Sequence, residues 1–191
     1  MRCRSWRIST SRCIRGFGGT PEALSLATLE VLAHPLETIR VSRDDLYRSW
    51  QALNSADDRQ VDIISLGNPH FSLDEFKRLA QLCAGQRKHP QVSIMVTCGR
   101  TVFEQAEAAG AIDVLAAFGV EFMTDTCWCM IEKPLLKPNA RSLMTNSGKY
   151  AHYGPGISGL GIHYAGLATC AETARTGLAA GCSSRLDSFV S

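Results

Sequence analysis

The chain has 191 residues, 45% of them hydrophobic, which suits one packed domain of good size. Its net charge of +2 gives no electrostatic reason to expect a nucleic-acid or membrane partner. No run approaches the ~20 apolar residues of a membrane-spanning helix, and there is no secretory hydrophobic region, so a cytoplasmic placement is the expectation.

In chain order, residues 1–16 carry five arginines and no acid, which leaves the remainder with 15 basic and 18 acidic groups. This start has two readings: a mitochondrial transit peptide, or sequence never selected to fold, as in a mis-joined reading frame. The second is preferred because Cys3, Trp6 and Cys13 interrupt it, and import stays the alternative. Ser42 is placed to cap a helix with Leu46, Trp50 and Leu53 on one face. Residues 61–66 (VDIISL) read as a buried strand. The polar turn Gly67-Asn68-Pro69-His70 follows, and Ser72 with Glu75 forms the capping box of a helix bearing Leu73, Phe76, Leu79, Ala80 and Cys83 inward.

A second strand at 92–97 (VSIMVT) ends at Cys98-Gly99-Arg100, where Cys98 is expected to be exposed. Thr101 and Glu104 suggest another capping box, with Val102, Phe103 and Ala106 facing inward. Residues 111–118 form a short helix ended by Gly119. A third strand at 120–123 runs into Thr124-Asp125-Thr126-Cys127, and a fourth at 141–145 into Asn146-Ser147-Gly148-Lys149. A last amphipathic helix spans 166–175, closed by Gly177.

Strands alternating with helices predict an α/β fold, a mainly parallel sheet with helices on its faces. In such sheets ligands bind beyond the carboxyl ends of the strands. The four polar turns GNPH, TCGR, TDTC and TNSGK all leave strand ends, so they are expected to gather at one edge of the sheet as an active site.

The eight cysteines lack disulfide-framework spacing, and reduced thiols, a few of them metal ligands, are the better reading. Cys127 at a strand end is the ligand candidate, while Cys129, beside Trp128 and Met130, reads as core. Periodicity alone makes Cys170 a core residue too. The NSGK turn fails as a nucleotide P-loop, because Leu143 stands where Gly is needed and Tyr150 where Ser or Thr is needed. What remains is a turn whose backbone N–H groups, Ser147 hydroxyl and Lys149 could hold a carboxylate or phosphate. The other reading is a plain glycine turn with a solvated lysine. His70 could orient a substrate group, Arg100 could clamp a carboxylate, and His152 adjoins the loop; each has a surface reading as the alternative.

At TDTC, TNSGKYAHYGPG and LATCAETA the chain resembles the aconitase X family. GNPHFSLDEF and GGTPEA resemble further segments of that family, and the likeness runs over residues 18–178, leaving 1–17 and 179–191 outside it. The resemblance implies an aconitase-like partial catalytic domain. It also implies a hydro-lyase acting on a small hydroxy acid, with an iron–sulfur cluster as Lewis acid. By resemblance Cys127 and Cys170 become cluster ligands. Asn68, standing where the phosphomevalonate branch has Cys, favours cis-3-hydroxy-L-proline as substrate and a [2Fe–2S] cluster over [4Fe–4S]. Ser147, Lys149 and His152 are the catalytic candidates. His70, Arg100, Asn146 and Gly148 are the substrate-binding ones. Family members are much longer, so a complementary swivelling domain or separate subunit is an expected partner, and a catalytically silent fragment is the alternative.

Overall fold

A computed structural model of the chain describes residues 39–131 and 138–179. The basic start, the tail from 180 on and the GGTPEA segment lie outside the described residues. The described residues from Val41 on belong to one compact unit.

The chain forms helix α1 (Arg43–Ala52), strand β1 (Ile63–Phe71), α2 (Leu73–Cys83), β2 (Ser93–Cys98), α3 (Arg100–Ala108), α4 (Ala111–Phe118) and β3 (Val120–Thr124). A single 3-10 turn (Trp128–Met130) follows, then β4 (Ser142–Thr145), α5 (Gly148–Ser158), β5 (Gly161–Tyr164) and α6 (Leu167–Thr176). The five strands make one sheet in the order β3-β2-β1-β4-β5. Every pair in it is parallel. The expected α/β architecture is therefore observed.

The alternation along the strands sorts the side chains into two cores. Ile64 and Leu66 of β1, Ile94 and Val96 of β2 and Met144 of β4 pack with α2, α3, α4 and α6. Ile63, Leu143 and Ile162 point the other way, onto Trp128, Tyr150 and Ala151. The chain climbs from β1 to β2 to β3 on one side, then returns to β4 on the other side of β1. This reversal places a topological switch point between the carboxyl ends of β1 and β4, the crevice where open parallel sheets bind ligands.

Several elements depart from the sequence expectations. The GNPH turn lies within β1, whose register with β2 shifts between Leu66 and Phe71. Gly67 makes this irregularity possible: its φ is +82°, and a Cβ there would lie 2.0 Å from the Thr97 carbonyl oxygen. Because β1 continues to Phe71, opposite Cys98, Cys98 is fully buried rather than exposed. The Thr101–Glu104 box does not form, since α3 already begins at Arg100 and its N-cap is Gly99, with no side-chain cap. Leu46 is 51% exposed instead of inward, and α1 is held by its Ser42–Asp45 capping box and by the Trp50 indole donating to the Tyr164 carbonyl (3.0 Å). Helix α5 and strand β5 have no counterpart in the sequence reading. The Ser72–Glu75 box of α2 and the Gly119 end of α4 form as expected.

Candidate functional site

The four polar turns meet at the carboxyl edge of the sheet, joined by side-chain hydrogen bonds. Ser147, the N-cap of α5, donates its Oγ to the Asn68 carbonyl at 2.9 Å, bridging the switch point between β4 and β1. The same oxygen accepts the Tyr150 N–H at 3.3 Å, so the hydroxyl works first as a helix cap. Gly148 and Lys149 open α5 behind it. The first-turn amides of a helix have no partner within it, and the helix dipole favours negative charge there. Lys149 is exposed and Gly148 half-buried. A Cβ on Gly148 would lie 3.4 Å from the Tyr164 hydroxyl, so the end of β5 contributes a phenol whose ionisation burial pushes up. The sequence reading missed Tyr164 because it assigned no strand there.

On the other side of β1, the His70 ring lies 3.0 Å from the Thr126 carbonyl through Nε2. Arg100 does not stand free as an anion clamp: its guanidinium pairs with Asp125 at 2.7 Å, while its backbone N–H donates to the same carboxylate at 3.0 Å. That N–H, followed by the guanidinium, holds the Asp125 carboxyl below the usual carboxylate range. His152 is exposed on α5 and packs edge-on against the Tyr153 ring. Asn146 is half-buried beside Ser147.

Among the thiols, Cys127 and Cys129 are half-buried on either side of Trp128. Cys129, read from sequence as core, packs against the second core yet also reaches the site: the Asn68 amide donates to its Sγ at 3.5 Å. Cys170 sits in the first core, with its Sγ 3.7 Å from the Ala165 carbonyl and its ionisation pushed up to about 12 by burial. An iron–sulfur cluster needs several thiolates converging on one point. Among the described residues no group of three His, Cys, Asp or Glu side chains is placed to hold a metal ion. Cys127 and Cys129 offer soft donors of the right chemistry, but the described residues do not present a complete ligand set. Nor is any described helix long and apolar enough to cross a membrane.

Comparison with known proteins identifies the setting. The family model for the aconitase X third domain matches residues 61–176. The chain is 52% identical over 157 residues to the cis-3-hydroxy-L-proline dehydratase of Pseudomonas aeruginosa, covering 82% of this chain and 27% of that one. It is 49% identical over 161 residues to the dehydratase of the same name from Hypocrea jecorina, covering 84% and 27%. The phosphomevalonate dehydratase large subunit of Methanothermobacter thermautotrophicus is 31% identical over 147 residues, covering 77% and 35%. In structure, the chain resembles the holo-form of aconitase X from Thermococcus kodakaraensis, with a TM-score of 0.65 and 28% identity over 77% of this chain and 37% of that one. The chain thus spans 27% of the length of the two dehydratases it matches at about half identity.

Proposed function

This chain belongs to the aconitase X family, and we propose that it supplies the third-domain part of a hydro-lyase dehydrating cis-3-hydroxy-L-proline. The observation that carries the substrate is the identity gap: 52% and 49% to the two hydroxyproline dehydratases against 31% to the phosphomevalonate subunit. Asn68 at the switch point supports the same branch. Loss of the C2 proton and the 3-hydroxyl gives an enamine, which tautomerises to Δ1-pyrroline-2-carboxylate.

Within this chain, the amino end of α5 is the carboxylate-binding element. Gly148 lets a substrate approach the backbone, Lys149 brings positive charge, and Asn146 adds an amide. Ser147 shapes that turn through its bridge to Asn68, and in this reading it also contacts the substrate. His152 stands on the solvent side of the same helix, as a proton donor only to a group reaching it from outside the sheet edge. His70 and Arg100 act by holding the Thr124–Cys127 turn.

Membership of the aconitase X family implies an iron–sulfur centre in the whole enzyme, which would supply Lewis-acid chemistry at the departing hydroxyl. We assign it as [2Fe–2S] on the strength of Asn68, with Cys127 the first thiolate this chain would give. The ligand set would be completed by residues beyond those described, and the partner in this reading is the remainder of the enzyme, as a swivelling domain or a separate chain.

Anaerobic reconstitution with iron and sulfide, followed by a dehydration assay, tests this. The chain is assayed alone and mixed with the remainder of the P. aeruginosa dehydratase, with cis-3-hydroxy-L-proline and phosphomevalonate as rival substrates. Turnover of hydroxyproline in either setting supports the reading, and turnover only on mixing supports the partner. Turnover of phosphomevalonate alone, or none in any mixture, overturns it. Ser147→Ala with full turnover would remove Ser147 from substrate contact.

A further inference from the structure

Among the described residues, Asp125 is the one non-glycine with positive φ (58°). Left-handed backbone is sterically unfavourable for an L-residue, and Asp or Asn tolerates it best because a short polar side chain can bond locally. Here the side chain bonds across the fold. The Asp125 N–H donates to the Cys98 carbonyl at 2.9 Å, completing the last rung of the β2–β3 ladder at the Cys98–Thr124 pair. Its carboxylate accepts the Arg100 backbone N–H and pairs with the Arg100 guanidinium. Asp125 is thus the cap that Gly99 cannot be, supplied to α3 from 25 residues away.

The next residue is tethered on the opposite side. The Thr126 carbonyl meets His70 Nε2 from β1 at 3.0 Å, and the His70 ring lies over Gly99, 3.8 Å from where a Cβ would stand. Cys127 then caps the 3-10 turn, its carbonyl accepting the Met130 N–H at 2.9 Å. Two consecutive residues ahead of Cys127 are pinned to two different strands, and the residues after it are wound into a turn.

We propose that Asp125 is a positioning residue, acting with His70 as a latch that holds Cys127 in one backbone setting at the carboxyl edge of the sheet. An exposed Arg–Asp pair by itself adds little. The device is the acceptor geometry: a carboxylate oxygen on the α3 amide, presented from left-handed backbone. The latch serves the chemistry proposed for Cys127 and rests on that reading for its purpose, but its mechanics stand on the geometry alone.

The test needs neither substrate nor cluster. In the intact chain, iodoacetamide labelling of Cys127 and of Cys83 is followed by mass spectrometry, with amide exchange of residues 124–129 alongside. Asp125→Ala loses both the acceptor and the tolerance of left-handed backbone, and should speed Cys127 labelling and local exchange on the order of tenfold. Asp125→Asn removes the same charge but keeps an amide oxygen and the backbone tolerance, so it should stay within about twofold of the parent. Asp125→Gly should fall between, and His70→Ala should loosen the same amides. Buried Cys83 reports global opening and should not change in any of them. The latch is overturned if Asp125→Ala stays within twofold of the parent, if Asn is as disruptive as Ala, or if Cys83 labelling rises in step with Cys127. A latch that passes beside a failed dehydration assay would leave the geometry standing and remove the proposed function.

Discussion

The two faces of the sheet are built differently. One is roofed by four helices, and residues such as Phe76, Leu79, Leu115 and Ala174 are fully buried there. The other has α5 and the Trp128 turn packed with β1, β4 and β5. Met95 and Met123 are only partly covered on that side, and Met130 is 75% exposed. Parallel sheets normally have both faces covered. The second face also holds buried polar atoms without a partner among the described residues, including Ser65 Oγ and Trp128 Nε1. The first face is a finished scaffold. The second face, against which Cys129 and Tyr164 pack, is only partly covered by the described residues.

The largest expected effect removes the feature both faces share. Gly67→Ala puts a Cβ against the Thr97 carbonyl at a φ of +82°, where the β1–β2 register shifts. It should cost more than ~4 kcal/mol, enough to leave little folded protein in circular dichroism and thermal melts. Retention of the parent melting temperature would mean that β1 has another path to Phe71.

Next comes a direct contrast of the faces. Phe76→Ala should cost about 3–5 kcal/mol in urea unfolding, because it empties a fully buried site beneath Phe71 and Phe122. Met123→Ala on the open face should cost less than about 1.5 kcal/mol, since its side chain is already partly in water. Equal costs would abolish the distinction between the faces.

Ser147→Ala should cost roughly 1 kcal/mol in stability through loss of the α5 cap. Because the same oxygen bridges Asn68, any substrate role should show as a loss of turnover larger than that stability change explains. Ser147→Thr, which keeps the hydroxyl, should recover most of the stability.

The smallest effect is a pH slope belonging to the first face. Burial pushes the Cys83 thiol from 9.0 up to about 11. The folded state then favours the protonated thiol more than the unfolded chain does. Its contribution is complete below pH 9 and is lost as pH rises from about 9 toward 11. Cys83→Ala should lower stability at every pH through the lost packing, yet fall less steeply above pH 9. A parallel decline in melting temperature for parent and variant would show that the thiol does not couple to folding.

Strands β1 to β4 were legible as short apolar runs that end in polar turns, and α2 and α4 because a local capping box and a terminal glycine mark them. The convergence of four turns at one edge followed from the alternation of elements, and Ser147–Asn68, His70–Thr126 and Arg100–Asp125 are its contacts. Helix α5 contains Gly154, Pro155 and Gly156, residue types that disfavour a helix in local pattern. It stands because Ser147 caps it and the Tyr150 ring lies along Gly154, where an added Cβ would come within 3.2 Å. Strand β5 was too short to show a period, and Tyr164 went unnoticed with it.

The sequence by itself determined four of the five strands, most of the helices between them and the parallel α/β sheet they form, and it pointed to the carboxyl edge where the polar turns gather. These depend on residue type and short-range spacing. The tertiary structure decided which groups at that edge are already engaged. Arg100 is neutralised by a residue 25 positions away, the Ser147 hydroxyl is spent on a cap and a bridge, and Cys129 rather than Cys170 touches Asn68. Those outcomes depend on distances between residues remote in the chain, which no local pattern of residue types encodes.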